Sequence, residues 1–237
     1  MVIVQQMSDL KVKETSVMIC MPTKGEMKTR TSERLLRMFV TTANHGIRTT
    51  ITYAEGTLVS AVRSVLVKQF LASDYEYLFF LDSDMVFNDD IILKLLSHNK
   101  KIACGVAKVR GDKSYNIYHY VPEKEKYAPV SEIKQELLIE IDATGCSCVL
   151  IHRSVFDDIN AKKVELRETW KELLKTPKNA FDKVVFENLV RDEAMFAAFG
   201  EKSEDIFFFE MARACGHKIY CDLSIKCNHI TEVELIA

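Results

Sequence analysis

The feature that most constrains the fold is a regular alternation of short apolar runs with segments of helical period in the first half of the chain. Strands are predicted at residues 16–21, 47–53, 77–81 and 101–106. Between them, helices are predicted from Ser32 to Gly46, over 57–72, and from Asp89 or Asp90 onwards. This order predicts βαβ crossovers and therefore an α/β fold with a mainly parallel central sheet flanked by helices.

The second half of the chain is less regular. Residues 111–129 are polar and rich in Tyr without a clean period, so a loop or mobile flap is expected there. Further elements are predicted as strands at 136–142, 148–152 and 217–227 and as helices over 154–200, interrupted near Pro177, and from Ser203 to Gly216. A boundary near residue 110 thus separates a regular half, 1–110, from an irregular half, 111–237, of one continuous domain.

Composition excludes several classes of protein. The chain has 237 residues, 48% of them hydrophobic and 28% charged, as in an ordinary globular protein. Apolar runs such as 77–81 are far shorter than the roughly 20 residues of a membrane span. Because 32 Lys and Arg nearly balance 34 Asp and Glu, nucleic acid is not an expected partner. The seven Cys show no C-x-x-C spacing, and the first residues lack signal-peptide character. We therefore expect free thiols and a cytoplasmic location.

An acidic pair is the strongest local signal, in the sequence Leu81-Asp82-Ser83-Asp84-Met85. It follows a predicted buried strand, and ligands of parallel α/β sheets bind beyond the carboxyl ends of strands. Two carboxylates this close repel each other unless a cation lies between them. A hard divalent ion can take this place and complete its shell with phosphate oxygens and water. A turn in which the aspartates cap the next segment is the alternative.

Three other positions could complete such a site. In Ser203-Glu204-Asp205, Asp205 could act as a general base that the helix dipole helps to keep ionised, although helix capping alone also explains acids there. His229 follows the last strand and either binds a divalent ion or lies at the surface. Arg63 lies close to the apolar face of its helix, where it contacts an anionic ligand or forms a salt bridge with acids at the strand ends.

Several common motifs are absent from the sequence. It contains no G-x-x-x-x-G-K-[ST], no G-x-G-x-x-G, no G-x-S-x-G and no H-E-x-x-H. The sequence therefore gives no support for a P-loop NTPase, a Rossmann dinucleotide site, an α/β-hydrolase nucleophile or a zinc protease helix. The phosphates of any bound nucleotide would have to be held by a metal ion rather than by a glycine-rich loop.

Taken together and in this order, the segments resemble the GT-A class of nucleotide-sugar glycosyltransferases, particularly its family-2-like group from bacteria, phages and large viruses. The similarity covers most of the chain. The matching segments are 17–23, Val62-Arg63, Phe70-Leu71, 77–85, Ala143-Thr144-Gly145-Cys146, Val149-Leu150-Ile151, Glu204-Asp205 and His229.

The resemblance implies an inverting transfer of a sugar from a nucleoside-diphosphate sugar, such as a UDP-sugar, to a hydroxyl of a saccharide or other acceptor. Residues 1–110 would bind the donor and 111–237 the acceptor, with Asp205 as catalytic base and Glu204 orienting donor or acceptor. The implied donor-binding residues are Pro22, Thr23, Arg63, Asp82, Ser83, Asp84, Thr144 and Gly145. The implied ligands of Mn²⁺ or Mg²⁺ are Asp82, Asp84 and His229.

Two alternatives to a glycosyltransferase stay open at this point. A nucleotidyltransferase can share this type of sheet and would carry a glycine-rich basic loop after the first strand, of which Thr23-Lys24-Gly25 is a trace. A non-catalytic module that binds a sugar or nucleotide is the second alternative. Pyrophosphate release would identify the former, and the absence of any turnover would identify the latter.

Overall fold

The structure, a computed structural model, describes residues 15–109, 114–130, 137–173, 195–196 and 202–230. Within 137–173, the side chains are described as far as residue 163. Its elements in chain order are β1 (Ser16–Thr23), α1 (Thr29–Asn44), β2 (Arg48–Glu55), α2 (Val59–Leu71), β3 (Tyr77–Leu81), β4 (Met85–Val86), α3 (Ile91–Ser97), β5 (Ile102–Ala107), β6 (Ile117–Val121), β7 (Lys126–Pro129), β8 (Leu138–Ile141), β9 (Ala143–Thr144), β10 (Cys148–His152), α4 (Arg153–Leu173), α5 (Glu204–Ala214) and β11 (Ile219–His229).

The described strands form a large mixed sheet and a small antiparallel one. In the large sheet the order is β2-β1-β3-β10-β5-β11, and β11 then pairs with β8 near its start and with β4 at its end. Strands β1, β2, β3, β5 and β11 run in one direction, whereas β10 lies between β3 and β5 and runs antiparallel to both. The expected α/β fold with a mainly parallel central sheet is confirmed. The small sheet has the order β7-β6-β9.

The central strand β3 explains why its sequence is uniformly apolar. Leu78 and Phe80 contribute to a core cluster with residues of α2, α4 and α5, whereas Phe79 and Leu81 contribute to a second cluster with residues of α1 and α3. All four side chains are fully buried. A strand that is covered on both faces has no polar alternation, and its polar residues therefore come only where it ends.

Two sequence-based expectations are wrong. The first helix was expected to begin at Ser32, but α1 begins at Thr29. Within residues 111–129, which were expected to form a loop or flap, β6 and β7 pair as antiparallel strands and β9 adds to β6. The Tyr-rich composition matches strand propensity, and the rings of Tyr120 and Tyr127 lie 5.3 Å apart across the pair. The expected helix interruption near Pro177 lies outside the described residues. Within the described ranges, no helix combines the length and hydropathy that a membrane span requires.

The carboxyl ends of the parallel strands bring distant parts of the sequence together. Strands β1 and β3 are neighbours and end at Thr23 and Leu81. At the end of β11, His229 pairs with Met85 of β4, and the Ile230 amide donates to the carbonyl of Asp84 at 2.8 Å. The acidic pair and the C-terminal histidine therefore lie at the same edge of the sheet.

Candidate functional site

A cleft of about 310 Å³ opens at the carboxyl ends of β1 and β3. Six of the residues that the sequence predicts to bind a donor line it: Pro22, Thr23, Arg63, Asp82, Ser83 and Asp84. The fold thus brings together residues from β1, from α2 and from the turn after β3. A cleft beyond the ends of parallel strands is the usual ligand position of an open α/β sheet.

The turn after β1 forms one wall of the cleft. The Thr23 hydroxyl donates to the carbonyl of Glu26 at 2.9 Å and accepts from the Gly25 amide at 3.1 Å. Gly25 has a φ of +97°, a conformation that favours glycine, and a Cβ there would lie 3.1 Å from a carboxylate oxygen of Glu55. This turn fixes the backbone so that Lys24 lines the cleft.

Asp82 is the carboxylate on which most of the site converges. It follows β3 directly, and its Oδ1 lies 3.5 Å from Nη2 of Arg63. The pKa of Asp82 is raised, first by burial and further by the nearby Asp205. Arg63 and His229 act in the opposite direction and lower this pKa. Groups from α2, α5 and β11 thus all act on this one carboxyl group.

Arg63 is a buried guanidinium held by acids from both halves of the chain. Its side chain is only 5% exposed, and Nη1 donates to Glu204 Oε1 at 2.7 Å and to Asp205 Oδ1. Burial lowers the pKa of Arg63, but Asp205 and the other nearby acidic groups outweigh burial and raise it. Of the two interpretations of Arg63, the structure shows the salt bridge. Contact with a nucleotide stays a prediction.

The first turn of α5 presents Glu204 and Asp205 to Arg63. Ser203 caps the helix, because its hydroxyl accepts from the Ile206 amide. Asp205 does not act as a cap; its Oδ2 accepts from the Cys146 amide at 3.2 Å while Oδ1 contacts Arg63. Burial raises the pKa of Glu204, Asp205 raises it further, and Arg63 opposes the shift.

Thr144 and Gly145 are not among the described residues that line the cleft. The Thr144 hydroxyl and the Gly145 amide both donate to the Asn116 carbonyl, at 3.0 and 2.9 Å. A Cβ on Gly145 would lie 2.9 Å from the side-chain amide nitrogen of Asn116, so any larger residue here would require that side chain to shift. These residues join the site through Cys146, the next residue, which donates to Asp205. Donor binding by Thr144 and Gly145 stays a prediction.

His229 presents one ring nitrogen to the protein. Its Nδ1 lies 3.1 Å from the Lys108 carbonyl, which can only accept, so Nδ1 is the donor in this contact. In the neutral imidazole, Nε2 then carries the lone pair that a metal ion needs. The pairing of β11 with β4 brings His229 to the same edge of the sheet as the acidic pair.

The fit to a metal ion rests on the chemistry of these donors. Among the residues that the structure describes, no group of three or more His, Cys, Asp or Glu side chains is arranged to hold a metal ion. Carboxylate oxygens suit Mg²⁺ and Mn²⁺, and Mg²⁺ usually uses only one or two protein carboxylates together with substrate phosphates and water. Asp82 and Asp84 fit this partial set. Metal binding by Asp82, Asp84 and His229 stays a prediction.

Several residues of the site were not expected from the sequence pattern. Lys28 lines the cleft, and its amide donates to the Ser83 carbonyl at 3.0 Å. Lys24 had a weak signal in the trace of a glycine-containing basic loop. Cys146 contributes a backbone amide, and Asn116 contributes a backbone carbonyl. Backbone groups carry no signature in a sequence pattern.

Comparison with known proteins gives similarity of fold alone. The sequence matches no protein-family model and no curated protein. The structure is similar to the crystal structure of A197 from STIV, with 16% identity, 92% of this chain and 87% of that chain covered, and a TM-score of 0.54.

Two further structures have lower TM-scores. One is a Drosophila β-1,4-galactosyltransferase 7 mutant in complex with manganese, UDP-Gal and xylobiose, with 14% identity, 92% and 71% coverage and a TM-score of 0.47. The other is a glycosyltransferase involved in glycosylation of the major capsid of PBCV-1, with 14% identity, 64% and 67% coverage and a TM-score of 0.36. The match to A197 shows similarity of fold, and none of these matches addresses the reaction. Membership of the GT-A class stays a prediction.

The raised pKa of Glu204 predicts a pH-dependent effect of Glu204→Gln. The carboxyl group of Glu204 holds its proton more tightly in the folded chain than in the unfolded chain, where its pKa is near 4.5. The resulting stability is complete below pH 4.5 and is lost as the pH rises through the raised pKa. Because the variant lacks this loss, its free energy of unfolding relative to wild type should be more favourable at pH 7 than at pH 4, as measured by urea denaturation.

Glu33→Gln is the matched control, since Glu33 is exposed on α1 and pairs with Arg37 one turn later. Its effect should stay within about 0.5 kcal/mol at both pH values. A Glu204→Gln variant that is relatively less stable at pH 7 than at pH 4 would contradict the assignment of an unfavourable buried charge to Glu204.

Proposed function

We propose that the chain is a metal-dependent glycosyltransferase that moves a sugar from a nucleoside-diphosphate sugar, in the first instance a UDP-sugar, to an acceptor hydroxyl. One observation carries the proposal. Arg63, which lines the cleft together with Asp82 and Asp84, forms ion pairs with both Asp82 and Asp205. A carboxylate suited to hold the metal ion of a bound diphosphate, Asp82, and a carboxylate suited to act as a base, Asp205, thus belong to one network of ion pairs.

The donor would bind with its nucleotide portion in the cleft. Its volume of about 310 Å³ lies at the lower end of the range for small-molecule sites, so it suits a nucleotide better than donor and acceptor together. Asp82 and Asp84 would hold Mn²⁺ or Mg²⁺, and His229 would contribute Nε2. When bound, the ion supplies Lewis-acid stabilisation of the charge on the departing diphosphate. Pro22 and Thr23 would contact the nucleoside.

Asp205 would accept the proton of the acceptor hydroxyl in a single-displacement, inverting transfer. Arg63 and the Cys146 amide hold one oxygen each, which fixes the direction of the carboxylate. A carboxylate oxygen has two lone pairs, so Oδ2 keeps capacity to accept a proton while it accepts from an amide. Glu204 lies next to it on the same guanidinium and would orient donor or acceptor.

A nucleotidyltransferase is the second candidate, because Lys24 lines the cleft in a turn that contains a positive-φ glycine, Gly25. Such an enzyme would use this turn on the phosphates of a nucleoside triphosphate. The products separate the two reactions. A glycosyltransferase releases a nucleoside diphosphate from a nucleotide sugar, whereas a nucleotidyltransferase releases pyrophosphate from a nucleoside triphosphate.

Nucleotide binding should depend on the divalent ion and on Asp84. UDP with Mn²⁺ at a hundred times the dissociation constant should add about 2.7 kcal/mol to the free energy of unfolding, measured as a rise in melting temperature. Asp84→Asn should abolish this rise because a neutral amide is a poor ligand for a hard cation. Asp90→Asn is the control, since Asp90 lies at the start of α3 and pairs with Lys94. A full rise in Asp84→Asn would place the ion elsewhere.

Turnover should depend on Asp205 far more than donor binding does. Asp205→Asn should lower kcat by about 10²–10⁴-fold, because it removes the proton acceptor, while the Kd for UDP changes less than about two-fold. Asp157→Asn, an exposed position on α4, should leave both quantities unchanged. Full kcat in Asp205→Asn would assign the base to another group. Wild type that binds UDP but transfers no sugar from any nucleotide sugar would identify a binding module.

A further inference from the structure

Arg63 contacts carboxylates that come from opposite ends of the sequence. Asp82 follows β3 in the half proposed to bind the donor, whereas Glu204 and Asp205 belong to α5 in the half proposed to bind the acceptor. The side chains of Glu204 and Asp205 are only 15% and 16% exposed. The guanidinium therefore lies between the two halves of the site, largely shielded from water.

Helix α2, which carries Arg63, is held in place by packing against the core. Val62 and Leu66, the neighbours of Arg63 on α2, are buried in the core, and α2 packs on β1 and β2. The guanidinium carbon lies 5.9 Å from the centre of the Phe80 ring, on the strand that leads to Asp82. A side chain that leaves a packed core in this way has few alternative rotamers, so the direction of its donors is set by the fold.

The carboxylate of Asp205 receives two donors from different elements. Arg63 Nη1 donates to Oδ1, and the Cys146 amide, directly after Gly145, donates to Oδ2. Two donors on two oxygens fix both the position and the plane of a carboxylate. The planar guanidinium offers its N–H groups in a fixed fork, which an ammonium group cannot reproduce.

We infer that Arg63 is a positioning residue for the proposed transfer, which holds the Asp205 carboxylate in the direction required to accept the proton of the acceptor hydroxyl. The inference rests on the proposed function, since only transfer gives Asp205 a proton to accept. This positioning role is different from nucleotide binding. The donor of Arg63 that a nucleotide could use is Nε, which is buried and has no hydrogen-bond partner among the described residues.

A double-mutant cycle tests this inference. Arg63→Lys keeps the charge but loses the fork, so kcat should fall at least about ten-fold while the Kd for UDP, from calorimetry, changes less than about two-fold. Arg63→Met should lower kcat further, by about 100-fold. In an Asp205→Asn background, either change should lower kcat by less than about three-fold, because Arg63 acts through the carboxylate that is already lost.

Arg153→Lys is the matched control for the cycle. Arg153 is also a well-held arginine, but it donates to the carbonyls of Phe70, Leu71, Ser73 and Tyr75 and does not contact Asp205. Its effect on kcat, whatever its size, should be the same with Asp205 and with Asn at that position.

Three outcomes would overturn the inference. If the reductions in kcat caused by the Arg63 and Asp205 substitutions multiply in the double variant, Arg63 does not act through Asp205. A large rise in the Kd for UDP with unchanged kcat would make Arg63 a nucleotide ligand. Wild-type kcat in Arg63→Lys would show that the fork is not needed, and this variant keeps the test valid should Arg63→Met fail to fold. Absence of transfer by wild type would instead reject the proposed function itself.

Discussion

The rest of the site depends on the sharing of one guanidinium by three carboxylates in a place that water reaches poorly. Buried charges must be paired, and Arg63 pairs with Asp82, Glu204 and Asp205 at once. One positive charge cannot balance three negative ones. The raised pKa values of Asp82 and Glu204, both due first to burial and in part to Asp205, express this imbalance. A divalent cation at Asp82 and Asp84 would relieve it, which links the electrostatics of the fold to the proposed chemistry.

The sheet provides the position for this cluster. Because both faces of β3 are covered by helices, its polar neighbours can lie only beyond its end. The short pair of β4 with the end of β11 then brings His229 to the same edge, and the turn of Thr144-Gly145 on Asn116 brings the Cys146 amide to Asp205. Segments that lie more than 100 residues apart in the chain thus meet at one strand end.

The sequence predicts those parts of the site that depend on local pattern. The bounds 77–81 and 148–152 agree with β3 and β10, and Ser203 caps α5 as expected. The partners of Arg63 could not be predicted, because periodicity gives the buried face of a helix but not which acid, 141 or 142 residues away, will meet it. The antiparallel insertion of β10 and the pairing of β9 with β6 also depend on long-range strand contacts, which leave no local period.

The most direct test is the location of Mn²⁺ in crystals grown with UDP, by anomalous scattering. The account predicts one peak in the cleft, at about 2.0–2.3 Å from a carboxylate oxygen of Asp84 and adjacent to the diphosphate of UDP, with Asp82 facing the same ion. UDP bound without an anomalous peak at the acidic pair, or an ion and nucleotide located away from the ends of β1 and β3, would contradict it.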